Sequence, residues 1–299
     1  YILFGRDTAD KTADALIQTI QSYQDAAAVD TGIPLRIGVD EEGTVDVDAL
    51  VDAVREDTAL VSVMQVNNEV GAVMPIEEIS RRVKEKNPRT LIHVDGVQGF
   101  MRVPMHRNRM GVDLYSLSGH KIHGPKGIGA LAMSDRARPL CIAFGGGQEN
   151  GLRSGTENVP GIAGLGQAVR AFARLDDPAS DMMELKMRLR DGILQAVPDA
   201  KVNGPTGGAP HILNVTFPVK GEVLLHALEG AGILCSTGSA CASHKKSASH
   251  VLTAMGVPDK EIDGALRFSL CPMNTPEEID ETVAQIRKSV EMLRAFKRR

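Results

Sequence analysis

The sequence predicts an α/β protein: a large unit over residues 1–178 built on a mostly parallel sheet, then a smaller α+β unit over 179–299. Three observations lead there. Short apolar runs alternate with amphipathic stretches through the first half, as expected for parallel strands joined by helices and covered on both faces. A long helical pattern is then broken by Asp176-Asp-Pro178, where proline can open a helix but not continue one. Beyond that break the pattern changes to strand-like alternation set between helices.

Taken in order, 1–4 reads as a strand and 8–24 as a helix with Ala13, Leu16, Ile17 and Ile20 on one face. A short strand over 35–39 leads into a turn over 40–43. Residues 46–56 form a helix carrying Leu50, Val51 and Val54. A buried strand over 59–64 follows, and Pro75 then opens a helix over 76–86, where a missing N–H costs nothing. Strands are expected over 90–94 and 114–117, and helices over 159–175 and 178–197. In the second unit, 211–217 and 264–270 read as strands, 221–228 as a helix and 277–299 as a closing helix.

Composition narrows the function classes. The 299 residues include 30 Gly, 15 Pro and 4 Cys, with 34 − 38 = −4 formal charge. These are ordinary values for a globular protein and exclude a collagen, a disordered chain and a disulfide-stapled miniprotein. A mildly acidic balance with 3% aromatics argues against a dedicated nucleic-acid binder. No apolar run reaches the length of a membrane span, and Arg6, Asp7 and Asp10 argue against a signal peptide. Cys141, Cys235, Cys241 and Cys271 contain no C-x-x-C pair, so no metal site and reduced, cytoplasmic thiols are expected. The chain begins with Tyr1 rather than Met.

Several segments could carry chemistry. Asp95 follows an apolar strand, at the end where parallel sheets bind ligands; a turn-capping role before Gly96 is the plainer alternative. Ser118-Gly-His-Lys-Ile-His-Gly-Pro-Lys-Gly127 is the densest polar cluster. It fails as a phosphate-binding Walker loop because Pro125 stands where lysine must be, and the glycines from Gly127 match a dinucleotide fingerprint only formally. What survives is a lysine in a strand-end loop, placed as a Schiff-base nucleophile. Gly145-Gly-Gly147 and Arg153-Ser-Gly-Thr156 suit an anion. Cys241 lies among small residues with His244, Lys245 and Lys246 nearby, and such cations raise the thiolate fraction. Cys235 ends an apolar run and reads as packed, and Cys141 and Cys271 as structural. Arg267, among apolar neighbours, calls for an anionic partner, either a structural acid or a substrate carboxylate.

Six ordered motifs together resemble the cysteine desulfurases of NifS/IscS type, pyridoxal 5'-phosphate enzymes of aminotransferase class V and fold type I. They are Val66-Asn-Asn-Glu-Val-Gly71, His93-Val-Asp-Gly-Val-Gln98, the 118–127 cluster, Arg153-Ser-Gly-Thr156, Ser236-Thr-Gly-Ser-Ala-Cys241 and Leu266-Arg-Phe-Ser269. The resemblance implies that Lys121 holds the cofactor and moves protons at the substrate's α-carbon. It implies that Asp95 pairs with the pyridinium nitrogen, keeping the ring a good electron sink. Gln98 would bond the phenolic oxygen, and Ser118 and His120 the phosphate, with His120 beside Lys121 and Cys241 in the catalytic set. Thr156 would reach the phosphate of a neighbouring subunit, implying a homodimer. Asn68 and Arg267 would hold the substrate carboxylate, with Asn68 also among the cofactor-binding residues. Cys241 would be the nucleophile, taking sulfur from L-cysteine as a persulfide, releasing alanine and passing sulfur to an acceptor such as an iron–sulfur scaffold. Family members carry a further N-terminal segment with a ring-stacking histidine; here no His precedes His93.

Two other readings stand beside this one. The same cofactor residues serve a selenocysteine lyase or an aminotransferase. A chain without the N-terminal motifs could also be an inactive homologue acting through contacts.

Overall fold

The computed structural model describes residues 35–141, 143–237 and 248–297. The elements expected over 1–4 and 8–24, and Cys241, lie outside the described residues.

The first sheet collects β1 (Leu60–Met64), β2 (Leu91–Asp95), β3 (Leu114–Ser118) and β4 (Gly129–Met133) in that spatial order. β1, β2 and β3 run parallel, and β4 is antiparallel to β3. A parallel pair needs a crossover, and α2 (Ile76–Lys86) lies between β1 and β2 in the chain. Its buried Ile76, Ile79 and Val83 recur at helical spacing, with Glu77 and Glu78 at the amino end and Lys84 and Lys86 at the carboxyl end. That charge order suits the helix dipole. α1 (Val47–Ala53) starts where Asp46 Oδ1 accepts from the Ala49 N–H at 2.9 Å, the N-cap bond expected of an aspartate there.

Two sequence expectations change here. The strand over 35–39 reduces to one bridge, Val39 with Val45. Asp40 Oδ1 accepts from the N–H groups of Glu42 at 3.0 Å and Thr44 at 2.8 Å, so a side chain satisfies backbone groups that a strand would pair. The stretch from Gly129 is a strand, not a nucleotide loop. Gly127 at φ +77° turns the chain back, and Gly129 then sits opposite Ser118.

The second sheet is antiparallel, β5 (Lys201–Asn203), β6 (Ile212–Thr216) and β7 (Ala265–Ser269) in order. α3 (Val159–Phe172) and α4 (Pro178–Ala196) precede it, and Asp177 caps α4 from a left-handed conformation at φ 36°. α5 (Gly221–Gly230), α6 (His250–Ala254), α7 (Asp259–Ile262) and α8 (Pro276–Lys297) complete the described elements. Leu189 and Ile193 of α4 meet Leu213, Phe268, Ile286 and Val290 in one core. Full burial of such side chains stabilises by roughly 1.5–3 kcal/mol each. A second core lies on the first sheet, where Ile79, Ile92 and Val94 are joined by Val251 and Leu252 of α6. The strand packing leaves the carboxyl ends of β1, β2 and β3 along one edge, and the polar residues gather there.

Candidate functional site

At the carboxyl end of β2, Asp95 Oδ1 accepts from the Val97 N–H at 2.9 Å. The turn behind it is glycine for steric reasons. A Cβ on Gly96 would lie 2.0 Å from Tyr115 Cζ, and one on Gly99 would lie 2.1 Å from Gln65 Oε1. Those two neighbours bond each other, Tyr115 donating to Gln65 Oε1 at 2.7 Å. Burial, and then the Asp95 charge, push the Tyr115 hydroxyl up, so it stays protonated. Across the sheet His93 bridges Ser62 Oγ and Ser116 Oγ, each at 2.8 Å. Burial lowers its pKa despite Asp95, and so keeps it neutral.

At the carboxyl end of β3, Gly119–Ile122 makes one 3₁₀ turn that ends on His123 in the left-handed region, φ 63°. The Gly119 N–H donates to Ile128 O and the Gly124 N–H to Gly119 O, both at 2.9 Å. Lys121 therefore stands on a loop closed at its base. Ser118 Oγ and His120 Nδ1 are 2.7 Å apart, an exposed pair at the strand end. Burial, then the Lys121 and Lys126 charges, lower the His120 pKa. The Lys121 carbonyl accepts from Arg102 Nη2.

Beyond β1, residues 67–71 form a tight turn. Asn67 Oδ1 accepts from the N–H groups of Glu69 at 2.9 Å and Val70 at 3.1 Å, and Gly71 takes φ +75°. This turn meets the second sheet. Arg267 Nη1 donates to the Asn68 carbonyl at 2.9 Å, and Asn214 Nδ2 to the Glu69 carbonyl at 3.1 Å. Ser249 donates its hydroxyl to the buried Glu69 carboxylate. The contact seen for Arg267 is thus to a carbonyl of the other proposed carboxylate-binding residue.

Asp95 ends β2 with Gln98 three residues on, Ser118, His120 and Lys121 follow at the end of β3, and Arg267 of β7 reaches Asn68 in the turn beyond β1. Thr156 is exposed, and its carbonyl accepts from Arg153 Nη1 at 3.3 Å. Cys235 is packed against the core of the second sheet, where burial pushes its thiol up to about 12. Among the described residues no cluster of three or more His, Cys, Asp or Glu could hold a metal, and no helix is long and apolar enough to cross a membrane.

Two residues at the site went unread in the sequence. Arg102 is 7% exposed and His211 3%. His211 Nε2 lies 3.3 Å from Gln98 Oε1. The Nε and Nη1 of Arg102 and the Nδ1 of His211 are buried without hydrogen-bond partners. Arg102 has one signal in the sequence, a charge seven residues past Asp95, whereas His211 had only its place at the start of an expected strand.

The class-V aminotransferase family model matches residues 20–282. The chain is 43% identical over 265 residues to a cysteine desulfurase of Nostoc sp., covering 87% of this chain and 65% of that one. It is 40% identical over 285 residues to the cysteine desulfurase IscS of Clostridium botulinum, covering 94% and 70%. Among solved structures, a NifS-like protein superposes with TM-score 0.79 at 39% identity, over 87% of this chain and 68% of that one. The chain thus spans about two-thirds of the length of the relatives it matches.

Proposed function

We propose, from the premise that the chain belongs to the class-V aminotransferase family and within it to the cysteine desulfurases of NifS/IscS type, that it takes sulfur from L-cysteine with pyridoxal 5'-phosphate as cofactor. The observation that carries the reading is the placement of Asp95 and Lys121 at the carboxyl ends of adjacent parallel strands, with Gln98 beside them.

The donor set fits the cofactor. Asp95 offers a carboxylate to a ring nitrogen, Gln98 an amide to a phenolic oxygen, and Ser118 and His120 two short polar side chains to a phosphate. Thr156, whose side chain is exposed, suits a role toward a second copy of the chain in a homodimer. Bound pyridoxal phosphate supplies an electron sink for charge developing at the substrate's α-carbon. Lys121 would hold the cofactor through Nζ and would carry a proton to and from that carbon. Arg267 and Asn68 orient the substrate carboxylate, the guanidinium as a planar fork. Cys241 attacks the substrate sulfur: a sulfur–sulfur bond forms, the carbon–sulfur bond breaks, alanine leaves after protonation, and Cys241 keeps the persulfide. A sulfur-acceptor protein, such as an iron–sulfur scaffold in the cytoplasm, then removes it.

The test incubates the protein with pyridoxal phosphate, a thiol reductant and L-cysteine and measures alanine, with Cys241→Ala in parallel. Alanine from the parent alone is the expected result. Equal sulfide release by Cys241→Ala, or turnover of selenocysteine or a keto acid but not cysteine, overturns the reading.

A further inference from the structure

Gln98 carries an amide whose two ends do opposite things, and its usefulness toward an oxygen depends on which end faces it. An amide oxygen only accepts, and the NH₂ only donates. Gln98 is buried at 9% exposure, so it cannot leave its orientation to water. Its Oε1 lies 3.3 Å from His211 Nε2. Since Oε1 only accepts, Nε2 must carry the ring proton. His211 itself stays neutral, because burial and then the nearby Arg102, Lys186, Lys121 and Arg267 charges push its pKa down to about 2. A neutral imidazole has one N–H, and here it is spent on Gln98. The Nδ1 is left as a buried acceptor without a partner.

We infer that His211 is a positioning residue that locks the Gln98 amide with its oxygen toward the second sheet and its NH₂ free to donate to an anionic oxygen of the ligand. The inference rests on the cofactor reading of the site and assigns His211, 113 residues distant in sequence, a task in it. The physical gain is preorganisation: a donor already turned toward developing charge costs no reorientation when the ligand arrives.

The test is a double-mutant cycle on the full chain, with His211→Leu, Gln98→Leu and both together, read by pyridoxal phosphate affinity. His211→Leu should weaken Kd by about two- to tenfold, the net worth of one hydrogen bond. In the Gln98→Leu background the same change should add nothing. His211→Gln, which keeps a donor, should restore affinity. Additive losses, or equal effects of His211→Leu and His211→Gln, overturn the inference. A second measurement needs no cofactor: the side-chain N–H pair of Gln98, assigned by its loss in Gln98→Leu, should shift in the NMR spectrum of His211→Leu. An unmoved pair overturns the inference too. A parent that binds no pyridoxal phosphate overturns the proposed function, while the amide resonance still decides the role of His211.

Discussion

Different parts of the molecule treat buried polar groups differently. In the second sheet Asn203 Nδ2 donates to Asn214 Oδ1 at 2.8 Å and to Thr216 Oγ1 at 2.9 Å, and Asn214 Nδ2 reaches the Glu69 carbonyl at 3.1 Å. At the amino end of the first sheet Asp113 is equally well provided. It accepts from the Ile92 N–H and Ser134 Oγ, each at 3.0 Å, and pairs with Lys84 at 2.9 Å. Burial pushes the Asp113 carboxyl up, but those three donors outweigh it and hold the pKa low. Arg102, past the carboxyl end of β2, and His211, just before β6, keep buried atoms without partners. Unpaired buried polar atoms are costly. Arg102 reaches the Lys121 carbonyl and His211 the Gln98 amide, where the first sheet's carboxyl end meets the second sheet.

The sharpest way to break this contrast is Lys121→Ala. Alanine formation should fall by about 10²–10⁴-fold, the worth of a positioned proton carrier, with unfolding in urea little changed. A large stability loss with retained turnover would reverse the assignment. Asn214→Leu should do the opposite. It takes one of two acceptors from Asn203 Nδ2 and the side-chain donor from the Glu69 carbonyl, and should cost about 1–3 kcal/mol in urea unfolding. Gly96→Ala belongs in the same range, about 1–3 kcal/mol, because its Cβ would meet the Tyr115 ring and force it aside.

Arg102→Met sharpens the comparison. A buried cation with two unpartnered nitrogens is replaced by an apolar chain of similar size, which is often neutral or stabilising. Stability should drop less than in Asn214→Leu. Turnover should still fall by about two- to tenfold, as the Lys121 carbonyl loses its donor. The last prediction is a pH slope. Lys186 is buried against the Ala209 carbonyl at 3.0 Å, and burial lowers it from 10.5 to about 8. The unfolded chain therefore binds that proton more tightly, and stability should rise with pH between about 8 and 10.5. Lys186→Met should flatten the slope in urea titrations across that window.

Much of this was legible in the residues. The helix over 76–86 was readable to the residue from its apolar spacing, its end charges and Pro75. The Asp95 and Lys121 positions followed from strand-end logic. β4 was not legible, because Gly-Ala-Leu-Ala-Met has no alternation and its strand state depends on β3 lying alongside. The reduced strand over 35–39 fails for the converse reason: its apolar pattern found turn chemistry rather than a neighbouring strand.

By itself, then, the sequence determined the parallel α/β order, the glycine-punctuated strand ends and the residue types offered there, since periodicity and turn chemistry are local properties. Only the tertiary structure decided how those groups are held. The bond between Gln98 and His211, the one between Arg102 and the Lys121 carbonyl, and the meeting of Arg267 with the Asn68 carbonyl join segments that no local pattern couples. Hydrogen bonds act over about 3 Å of space whatever the length of chain between the partners.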